Sequence, residues 1–456
     1  MPFIAVDPAT GREVRRFEAH SRDDARAAAD AGKRAQVAWA ETPFDERGEV
    51  LRAAAVILEG EADRWGRLMA EEMGKPLAEG RSEAGKCAWA MRYYADHGAD
   101  FLADRTVRVE GARAGWVHRP LGLVLAVMPW NFPFWQVFRA AAPTLMAGNG
   151  ILLKHASNVP GCARAAEEIL LRAGLPGGLF QNLFLEHDDL EVLLDHDAVQ
   201  AVTLTGSVRA GKAIAAQAGA RLKKCVLELG GSDPYVVLAD ADIDAAVETC
   251  VTSRLINTGQ SCIAAKRFIV VDALHDAFRE RLLHRFDAVR QGPPLDDGVD
   301  VGPMAREDLR DDLHDQVVRS VAAGATLERG GHVPDRPGAW YPPTVLTGVT
   351  REMPAFREEL FGPVAVLIRA ADDGEALELA NDTVFGLGAA VFTRDADRGE
   401  RIARDVLQAG ACFVNDFVRS DPRLPFGGIK ESGYGRELSP LGIREFVNAK
   451  TVWVAE

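Results

Sequence analysis

Apolar residues recur at helical spacing in the N-terminal region of the chain. Residues 23–103 are rich in alanine and charged side chains, and the spacing is clearest over residues 46–73. Apolar positions that return every three or four residues form a stripe that packs, while the charged face stays in water. We therefore expect successive amphipathic helices in this region.

A second pattern begins at Gly122, where short apolar runs alternate with helix-like stretches. The runs cover residues 123–127, 151–153, 183–185 and 201–204, and the helix-like stretches cover residues 134–146, 161–173 and 209–219. A similar series follows Gly231, with runs at residues 235–238, 268–271, 364–368 and 389–392. Buried strands that alternate with helices are typical of parallel sheets covered on both faces, so the sequence predicts two α/β domains.

Two segments fit neither series. The pattern of residues 105–120 predicts a β-hairpin, and the pattern of residues 448–454 predicts a C-terminal strand. Both would leave unpaired strand edges in a single subunit. We expect them to pair across a subunit interface, as the small β oligomerisation element of a homodimer or homotetramer.

Composition and charge narrow the classes of function. The 456 residues are 47% hydrophobic and carry a formal net charge of −14, which disfavours general attraction to nucleic acid or anionic lipid. The sequence has no apolar stretch long enough to span a membrane, and its start lacks the basic end and apolar run of a secretion signal, so we expect a cytoplasmic protein. The six cysteines form no Cys-x-x-Cys pair and no cluster with histidine, which argues against a disulfide framework or a metal site.

One cysteine lies in a neighbourhood suited to catalysis. Cys262 ends a polar, glycine-containing turn at residues 257–262, directly after a predicted helix. Such a turn can expose a thiol, and an exposed thiol can act as a nucleophile, whereas most cysteines are simply buried. Upstream, Glu228 lies in an apolar run before two glycines. A buried carboxyl tends toward a raised pKa and suits a general base, although a structural salt bridge explains this glutamate equally well.

Two further turns could serve a ligand. Asn131 follows a predicted strand, at the edge where open α/β sheets bind ligands, and its amide could donate a hydrogen bond to a developing oxyanion. Capping of the next helix explains this asparagine equally well. Gly206 and Ser207 begin a strand-to-helix turn whose amides could receive a phosphate, although the turn lacks the Gly-x-Gly-x-x-Gly spacing.

Together these segments resemble the aldehyde dehydrogenase superfamily over nearly the whole chain. The motifs that carry the resemblance, in the family's order, are Pro129-Trp130-Asn131-Phe132-Pro133, Thr205-Gly206-Ser207, Leu227-Glu228-Leu229-Gly230-Gly231, Gly259-Gln260-Ser261-Cys262, Glu359-Leu360-Phe361-Gly362-Pro363 and Pro425-Phe426-Gly427-Gly428. The resemblance implies a Rossmann-like parallel-sheet cofactor domain at residues 1–104 and 122–229 and a second α/β catalytic domain at residues 230–430. The oligomerisation element would comprise residues 105–121 and 431–456.

The resemblance also implies roles for individual residues. Cys262 would be the nucleophile, Glu228 the general base, and Asn131 with the Cys262 backbone N–H the oxyanion hole. The residues expected to hold the cofactor are Trp130, Lys154, Gly206, Ser207, Glu359 and Phe361. An aldehyde would be oxidised to its acid through a thioester on Cys262, whose surroundings would favour the thiolate, and no metal would be needed.

Ser157 bears on the choice of cofactor. Relatives that prefer NAD often have a glutamate three residues after the cofactor lysine, where it holds the adenine-ribose hydroxyls and would repel a 2′-phosphate. In this chain Ser157 stands three residues after Lys154. A small neutral hydroxyl beside a lysine leaves room and charge for the phosphate, so we expect NADP to be preferred, with NAD as the weaker alternative.

Two residues point to a substrate that carries a carboxylate. Arg139 lies eight residues after Asn131, and a cation there suits such a substrate, although an ion pair explains it equally well. Ser420 stands where similar succinate-semialdehyde dehydrogenases keep a substrate-binding serine. Succinate semialdehyde is therefore the first expectation, and another short ω-acid aldehyde is the alternative. Trp135 and Phe417 would form apolar walls, unless they belong to the core.

Three other functions are compatible with parts of the sequence. A cysteine hydrolase would need only the nucleophile and the base, and it leaves the phosphate turn and Glu359-Leu360-Phe361 unexplained. A coenzyme A-acylating relative generally lacks the glutamate that activates water, and Glu228 is present. A non-catalytic binding protein would have lost the nucleophile or the base, and both remain.

Overall fold

The computed structural model describes residues 2–455 and contains two large sheets. The first has six strands in the spatial order Gly433–Tyr434, Lys224–Glu228, Val199–Thr205, Leu123–Met128, Gly150–His155 and Phe180–Asn182. The second has seven strands in the order Thr326–Arg329, Thr344–Thr347, Val364–Ala370, Ala265–Val271, Asp233–Val237, Gly388–Phe392 and Ala411–Val414. Only Gly433–Tyr434 and Thr326–Arg329 run antiparallel to their neighbours, so the prediction of two mainly parallel sheets is confirmed.

Helices connect these strands and cover both faces of each sheet. The α-helices of the described residues are Arg22–Glu41, Phe44–Gly60, Ala62–Met73, Leu77–Phe101, Trp135–Met146, Pro160–Arg172, Glu191–Leu194, Val208–Ala220, Ile243–Leu255, Asp272–Asp287, Glu307–Ala322, Pro354–Arg357, Asp373–Asn381, Ala396–Asp405 and Ser439–Ile443. Short 3₁₀ turns are formed by His187–Leu190, Ile256–Gly259 and Lys430–Ser432. The expected N-terminal helices are therefore confirmed.

The central strands are buried on both faces, which explains their continuous apolar runs. In Leu123–Met128, Ala126 packs into one hydrophobic core and Leu125 into another, because successive side chains point to opposite faces of the sheet. Strand Asp233–Val237 of the second sheet divides its side chains between two cores in the same way. Each sheet is thus a middle layer between two layers of helices.

Two small antiparallel sheets complete the fold. Phe3–Val6 pairs with Glu13–Phe17, and a three-stranded sheet has the order Val447–Ala455, Ala112–Pro120 and Arg105–Val109. The predicted hairpin and C-terminal strand are both present in this second sheet. The C-terminal strand Val447–Ala455 pairs with Ala112–Pro120 of its own chain over nine consecutive residues. The expectation that this strand pairs with another subunit is therefore wrong for this edge of the strand. Only the outer edges of this sheet are left without a strand partner among residues 2–455.

The structure corrects the sequence prediction at some short segments. Residues 183–185 are not a strand; the strand is Phe180–Asn182, and Leu185 N–H donates to the Leu183 carbonyl (3.0 Å), which turns the chain away from the sheet. Gly433–Tyr434 extends the first sheet, although it lies in the segment assigned to the oligomerisation element. The proposed domain boundaries otherwise stay a prediction.

Candidate active site

A cavity of about 250 Å³ opens beside Cys262. The fold brings four other predicted residues, Arg139, Trp135, Phe417 and Ser420, to its wall. Drug-sized ligands usually occupy roughly 300–1,000 Å³. A cavity of this size therefore suits a short substrate.

Cys262 follows a turn with an unusual backbone. Helix Ile243–Leu255 leads into Ile256–Gly259, where Asn257 (φ 57°, ψ 40°) and Thr258 (φ 57°, ψ 30°) are both left-handed. Gly259 has φ +74°, and a Cβ there would lie 2.4 Å from the Gly362 carbonyl oxygen, so only glycine fits. The turn places Cys262, a partly exposed residue, on the wall of the cavity.

Asn131 lies against this turn and not in the cavity wall. Its Nδ2 donates to the Gln260 carbonyl (3.0 Å), and its own carbonyl accepts from Asn257 Nδ2 (2.7 Å). Asn257 N–H in turn donates to Glu79 Oε2 (2.8 Å). The Asn131 amide is therefore bonded to a backbone carbonyl two positions before Cys262, and its role in an oxyanion hole stays a prediction.

The Cys262 thiol is not activated by its protein surroundings alone. Burial raises its pKa to about 12, although Lys266 and Arg139 act in the opposite direction. The expectation that the surroundings favour the thiolate is therefore wrong for the protein by itself. Removal of the sulfur from water raises the pKa of Cys262 by more than the charges of Lys266 and Arg139 lower it.

Glu228 ends strand Lys224–Glu228 and is buried outside the cavity wall. Neither carboxyl oxygen has a hydrogen-bond partner among the described residues. Burial raises the pKa of Glu228 well above its usual range, and the nearby Glu437 carboxyl adds to this. A Cβ at Gly427 would lie 2.7 Å from Glu228 Oε1, so this glycine makes room for the carboxyl. The side chain is thus a buried proton-holding group near Glu437 and Arg139, and its role as the general base stays a prediction.

Arg139 reaches the cavity from helix Trp135–Met146, but its charge is already matched. Its Nε forms a buried ion pair with Glu437, and its Nη2 donates to Thr205 Oγ1 (3.2 Å). The guanidinium also lies over the Phe426 ring, 4.9 Å from the centroid. The structure therefore contains the ion pair that the sequence left open as the alternative to substrate binding.

Lys86 is a cavity residue that the sequence analysis missed. Its Nζ donates to Ser420 Oγ (2.8 Å) and lies over the Trp135 ring, 4.5 Å from the centroid. Glu79 and Glu83 line the same cavity from the same helix, Leu77–Phe101. Positions separated by four and seven residues share one helix face, and this spacing is the signal that could have identified them.

The residues expected near a cofactor phosphate lie at the ends of two strands. Ser207 caps helix Val208–Ala220 by accepting from Ala210 N–H (3.2 Å), which leaves the helix N-terminus facing the Gly206 turn. Lys154 is the last residue but one of strand Gly150–His155. Burial lowers the pKa of Lys154 to about 8, and His187 Nε2 lies 3.5 Å from its Nζ. A helix N-terminus and a cluster of basic groups fit a phosphate-bearing nucleotide.

Ser157 lies on a separate groove near these residues. The groove has a volume of about 640 Å³ and is lined by Ser157, Asn158 and Arg306, among others. Asn158 is buried, and neither polar atom of its side chain has a hydrogen-bond partner among residues 2–455. The unused Asn158 amide leaves hydrogen-bonding capacity for a polar ligand group, whereas the Arg306 charge is already paired with Asp308 in the same groove.

The residues expected near the nicotinamide also come together. Trp130 and Phe361 contact each other edge to face, with ring centroids 5.7 Å apart. Glu359 accepts from Gly231 N–H (3.0 Å) and lies 3.5 Å from Lys266 Nζ. A Cβ at Gly230 would come within 2.4 Å of Glu359 Oε2, so a larger residue there would displace the Glu359 carboxylate. The fold therefore supplies an aromatic and acidic surface in the region implied for the ring and ribose.

Residues 2–455 contain neither a cluster of metal-ligating side chains nor a helix that could cross a membrane. In the part of the chain from residue 2 to residue 455, His, Cys, Asp and Glu side chains form no group of three or more that could hold a metal ion. Over the same residues, none of the helices has the length and apolar character needed to cross a membrane.

Comparisons with known proteins agree with this geometry. The sequence profile of the aldehyde dehydrogenase family matches residues 2–452. The chain is 49% identical over 458 residues to succinate-semialdehyde dehydrogenase (NADP+) 1 of Mycobacterium tuberculosis, and the alignment covers 100% of both chains. It is similar to the crystal structure of succinic semialdehyde dehydrogenase from Streptococcus pyogenes in complex with NADP+ (TM-score 0.97, 36% identity, 100% of both chains). It is also similar to succinate-semialdehyde dehydrogenase from Burkholderia pseudomallei (TM-score 0.97, 34% identity, 100% of this chain and 95% of that one).

Proposed function

Because the chain belongs to the aldehyde dehydrogenase family, we propose that it oxidises succinate semialdehyde to succinate with NADP as the preferred acceptor. The observation that carries this proposal is that Cys262, a partly exposed residue, lines a small cavity whose wall also holds cationic side chains. An aldehyde at the sulfur and a carboxylate at the cation would occupy the two ends of one short substrate. The relatives named for this substrate support the choice.

The chemistry divides among three residues. The Cys262 thiol loses its proton to solvent and its sulfur attacks the aldehyde carbon, while Asn131 Nδ2 and the Cys262 N–H donate to the oxygen that becomes negatively charged. NADP, when bound, accepts the hydride that leaves this carbon. A thioester then remains on Cys262, and Glu228 takes a proton from the water that attacks it. The carboxylic acid leaves and the thiol is restored.

We propose that the cofactor phosphates are held at the Gly206–Ser207 turn and beside Lys154. Ser157, on the adjoining groove, would face the 2′-phosphate without opposing its charge. Trp130, Glu359 and Phe361 would position the nicotinamide ribose and ring. The NADP+ complex of the S. pyogenes relative supports this preference.

We further propose a cytoplasmic homodimer or homotetramer. All six cysteines are free in the structure, which suits a reducing compartment. The open edges of the three-stranded sheet formed by Val447–Ala455, Ala112–Pro120 and Arg105–Val109 offer a surface for assembly.

Steady-state kinetics test the proposed reaction. With succinate semialdehyde, we expect NADPH formation with kcat/KM at least about tenfold higher than the value with NAD, which is about 1.4 kcal/mol. Cys262→Ala should lower the rate by more than about 10³-fold because the thioester cannot form. Cys412→Ala, at a partly exposed cysteine away from the cavity, is the matched control.

The same assays separate the proposal from its rivals. Ester hydrolysis at full rate without cofactor, and no cofactor reduction, would indicate a cysteine hydrolase. Parent-level NADPH formation by Cys262→Ala would rule out the nucleophile that we propose.

A further inference from the structure

Lys266 is a buried lysine on strand Ala265–Val271, outside the wall of the cavity. Its Nζ donates to the Ser261 carbonyl (2.9 Å) and to the Cys262 carbonyl (2.7 Å), and it lies 3.5 Å from Glu359 Oε1. A lysine ammonium has three N–H donors, and these three oxygens match them in number. Lys266 therefore has no donor to spare for a substrate, and its effect on a reaction must pass through Cys262 or Glu359.

The two carbonyls belong to the peptide groups on either side of the Cys262 α-carbon. The Ser261 carbonyl shares its peptide group with the Cys262 N–H, and it also accepts from Ala264 N–H (3.2 Å). Hydrogen bonds to a carbonyl polarise its peptide group, so the N–H of that group becomes a stronger donor, and a charged donor has the larger effect. The Cys262 N–H is a proposed donor to the developing oxyanion. Lys266 thus strengthens a donor that it does not itself contact.

The Cys262 carbonyl is closely confined. It accepts from Lys266, and a Cβ at Gly231 would lie only 2.7 Å from its oxygen, so the carbonyl packs directly against this glycine. Gly231 N–H donates in turn to Glu359 Oε1 (3.0 Å), the carboxylate that pairs with Lys266. The ammonium therefore connects the backbone of the nucleophile to the carboxylate proposed to hold the nicotinamide ribose.

Lys266 also acts on the sulfur through its charge. Burial has the largest effect on the pKa of Cys262 and raises it, whereas Lys266, followed by Arg139, lowers it, and Glu359 and Asp233 raise it. Burial lowers the pKa of Lys266 itself, and the two carboxylates oppose this shift. The titratable and charged groups that face Lys266 are Glu359, Asp233, Arg254 and Cys262.

We propose that Lys266 is a positioning residue for the thioester chemistry: its ammonium fixes and polarises the Cys262 peptide groups, which favours the anionic sulfur and then the oxyanion. This inference rests on the proposed function, because it assumes that Cys262 attacks an aldehyde. The thiol proton goes to solvent, an electron pair of the sulfur forms the S–C bond, and the carbonyl π pair moves to the oxygen. A cation held beside this backbone stabilises the negative charge before and after the transfer.

Alkylation of Cys262 by iodoacetamide tests the inference without aldehyde or cofactor, because the thiolate is the form that reacts. In Lys266→Met, we expect the alkylation rate at about pH 8, measured at Cys262 by peptide mass spectrometry, to fall at least tenfold because fewer sulfurs are ionised. Lys266→Gln keeps a donor to the carbonyl but loses the charge, and it should show a similar fall. Lys33→Met, at an exposed lysine on helix Arg22–Glu41, is the matched control and should react at the parent rate.

Steady-state turnover gives a second measurement. With the aldehyde that the parent oxidises, Lys266→Met should lower kcat about 10- to 100-fold and leave KM for the aldehyde nearly unchanged, because the ammonium acts on the reacting charge and does not touch the substrate. Lys266→Gln should recover part of kcat, since its amide can still donate to the Ser261 carbonyl. Urea titration shows whether each variant folds as the parent does.

Glu359→Gln tests the inference in the opposite direction and does not depend on the folding of the Lys266 variants. It removes the counter-ion of the ammonium, so we expect Cys262 to be alkylated about threefold faster or more. An alkylation rate at or below that of the parent in Glu359→Gln, or a parent-like rate in folded Lys266→Met, would overturn the inference. A rise in KM for the aldehyde with unchanged kcat in Lys266→Met would also overturn it, because it would place Lys266 in substrate binding.

The two measurements separate this inference from the proposed function. If the parent does not oxidise succinate semialdehyde and Lys266→Met still slows alkylation, the proposed substrate is wrong and the effect of Lys266 on the sulfur stands. If the parent oxidises it and Lys266→Met alkylates and turns over as the parent does, the proposed function stands and the role of Lys266 is wrong.

Discussion

Ser157 is an exposed, uncharged side chain three residues beyond Lys154, on the wall of the groove of about 640 Å³. Its neighbour Asn158 contributes an unpartnered amide to the same groove. If the 2′-phosphate lies here, the absence of a carboxylate at position 157 decides between the two cofactors, because two like charges about 4 Å apart repel by about 4 kcal/mol near a protein surface.

Ser157→Glu should therefore reverse the cofactor preference. We expect kcat/KM with NADP to fall at least tenfold, through repulsion of the phosphate, and kcat/KM with NAD to fall much less or to rise. Parallel assays with the two cofactors measure both constants. Ser157→Gln has nearly the same volume without the charge and should show a clearly smaller loss with NADP; equal losses in the two variants would mean that bulk, not charge, excludes the cofactor.

For single residues, local sequence motifs predicted the site, whereas contacts between residues far apart in the sequence could not be predicted. Cys262 and Ser420 could be placed from the residues beside them in the sequence, and the fold brings both to one cavity. Lys86 is one of many charged residues on its helix, and its partner Ser420 is 334 positions away. Nothing near Arg139 in the sequence indicates Glu437 either. The spacing along a helix can place such a side chain on a face, but it does not reveal the distant partner.

Among the helices, Leu77–Phe101 and Trp135–Met146 together build one wall of the cavity. Glu83 joins them: its Oε1 accepts from Phe134 N–H (2.9 Å) and Trp135 N–H (2.8 Å), and its other oxygen pairs with buried Lys75. A carboxylate at a helix N-terminus satisfies donors that the helix cannot satisfy itself. The position of the second helix, and of the residues that it presents, depends on this contact.

Glu83→Ala should destabilise the protein strongly. The substitution leaves the Lys75 ammonium and two N–H groups buried without partners, so we expect the free energy of unfolding to fall by about 3–5 kcal/mol. Urea titration followed by circular dichroism measures the loss. Adding Lys75→Met should recover part of it by removing the uncompensated charge, and a loss below about 1 kcal/mol in the single variant would show that the contact is not stabilising.

For the elements, burial determined what the sequence could predict. Strands such as Leu123–Met128 are buried on both faces and therefore appear as continuous apolar runs. Thr326–Arg329 lies at a sheet edge and is partly exposed, so its residues carry no such run. Strand Phe180–Asn182 is only three residues long. The residues that follow it, 183–185, are more apolar, and the sequence therefore predicted the strand there.

Over the whole molecule, the most exposed sheet is the three-stranded one. Its outer strand Val447–Ala455 is exposed along nearly its full length, and Trp453 has 59% of its surface accessible. An apolar strand with one open edge can pair with another chain or aggregate. The surface is therefore the first place to look for the contact that forms the proposed oligomer.

Charges on this strand should weaken assembly. We expect Val452→Lys/Val454→Lys to shift the protein from a dimer or tetramer toward a smaller species, because an interface core excludes unpaired charge. Size-exclusion chromatography with light scattering measures the mass. Leu222→Lys, at an apolar residue that is 95% exposed elsewhere on the surface, is the control. An unchanged mass in the double variant, with the parent an oligomer, would place the interface elsewhere.

The two left-handed residues before the nucleophile, Asn257 and Thr258, have a consequence for turnover. A non-glycine residue in this conformation costs about 1–2 kcal/mol, and here the cost is incurred once, when the chain folds. Since hydrogen bonds from Asn257 already fix the bend, no ordering of this segment has to accompany each arriving aldehyde. The protein thus folds with a slightly smaller free energy of unfolding, and in return the Cys262 sulfur is already in position when the substrate binds.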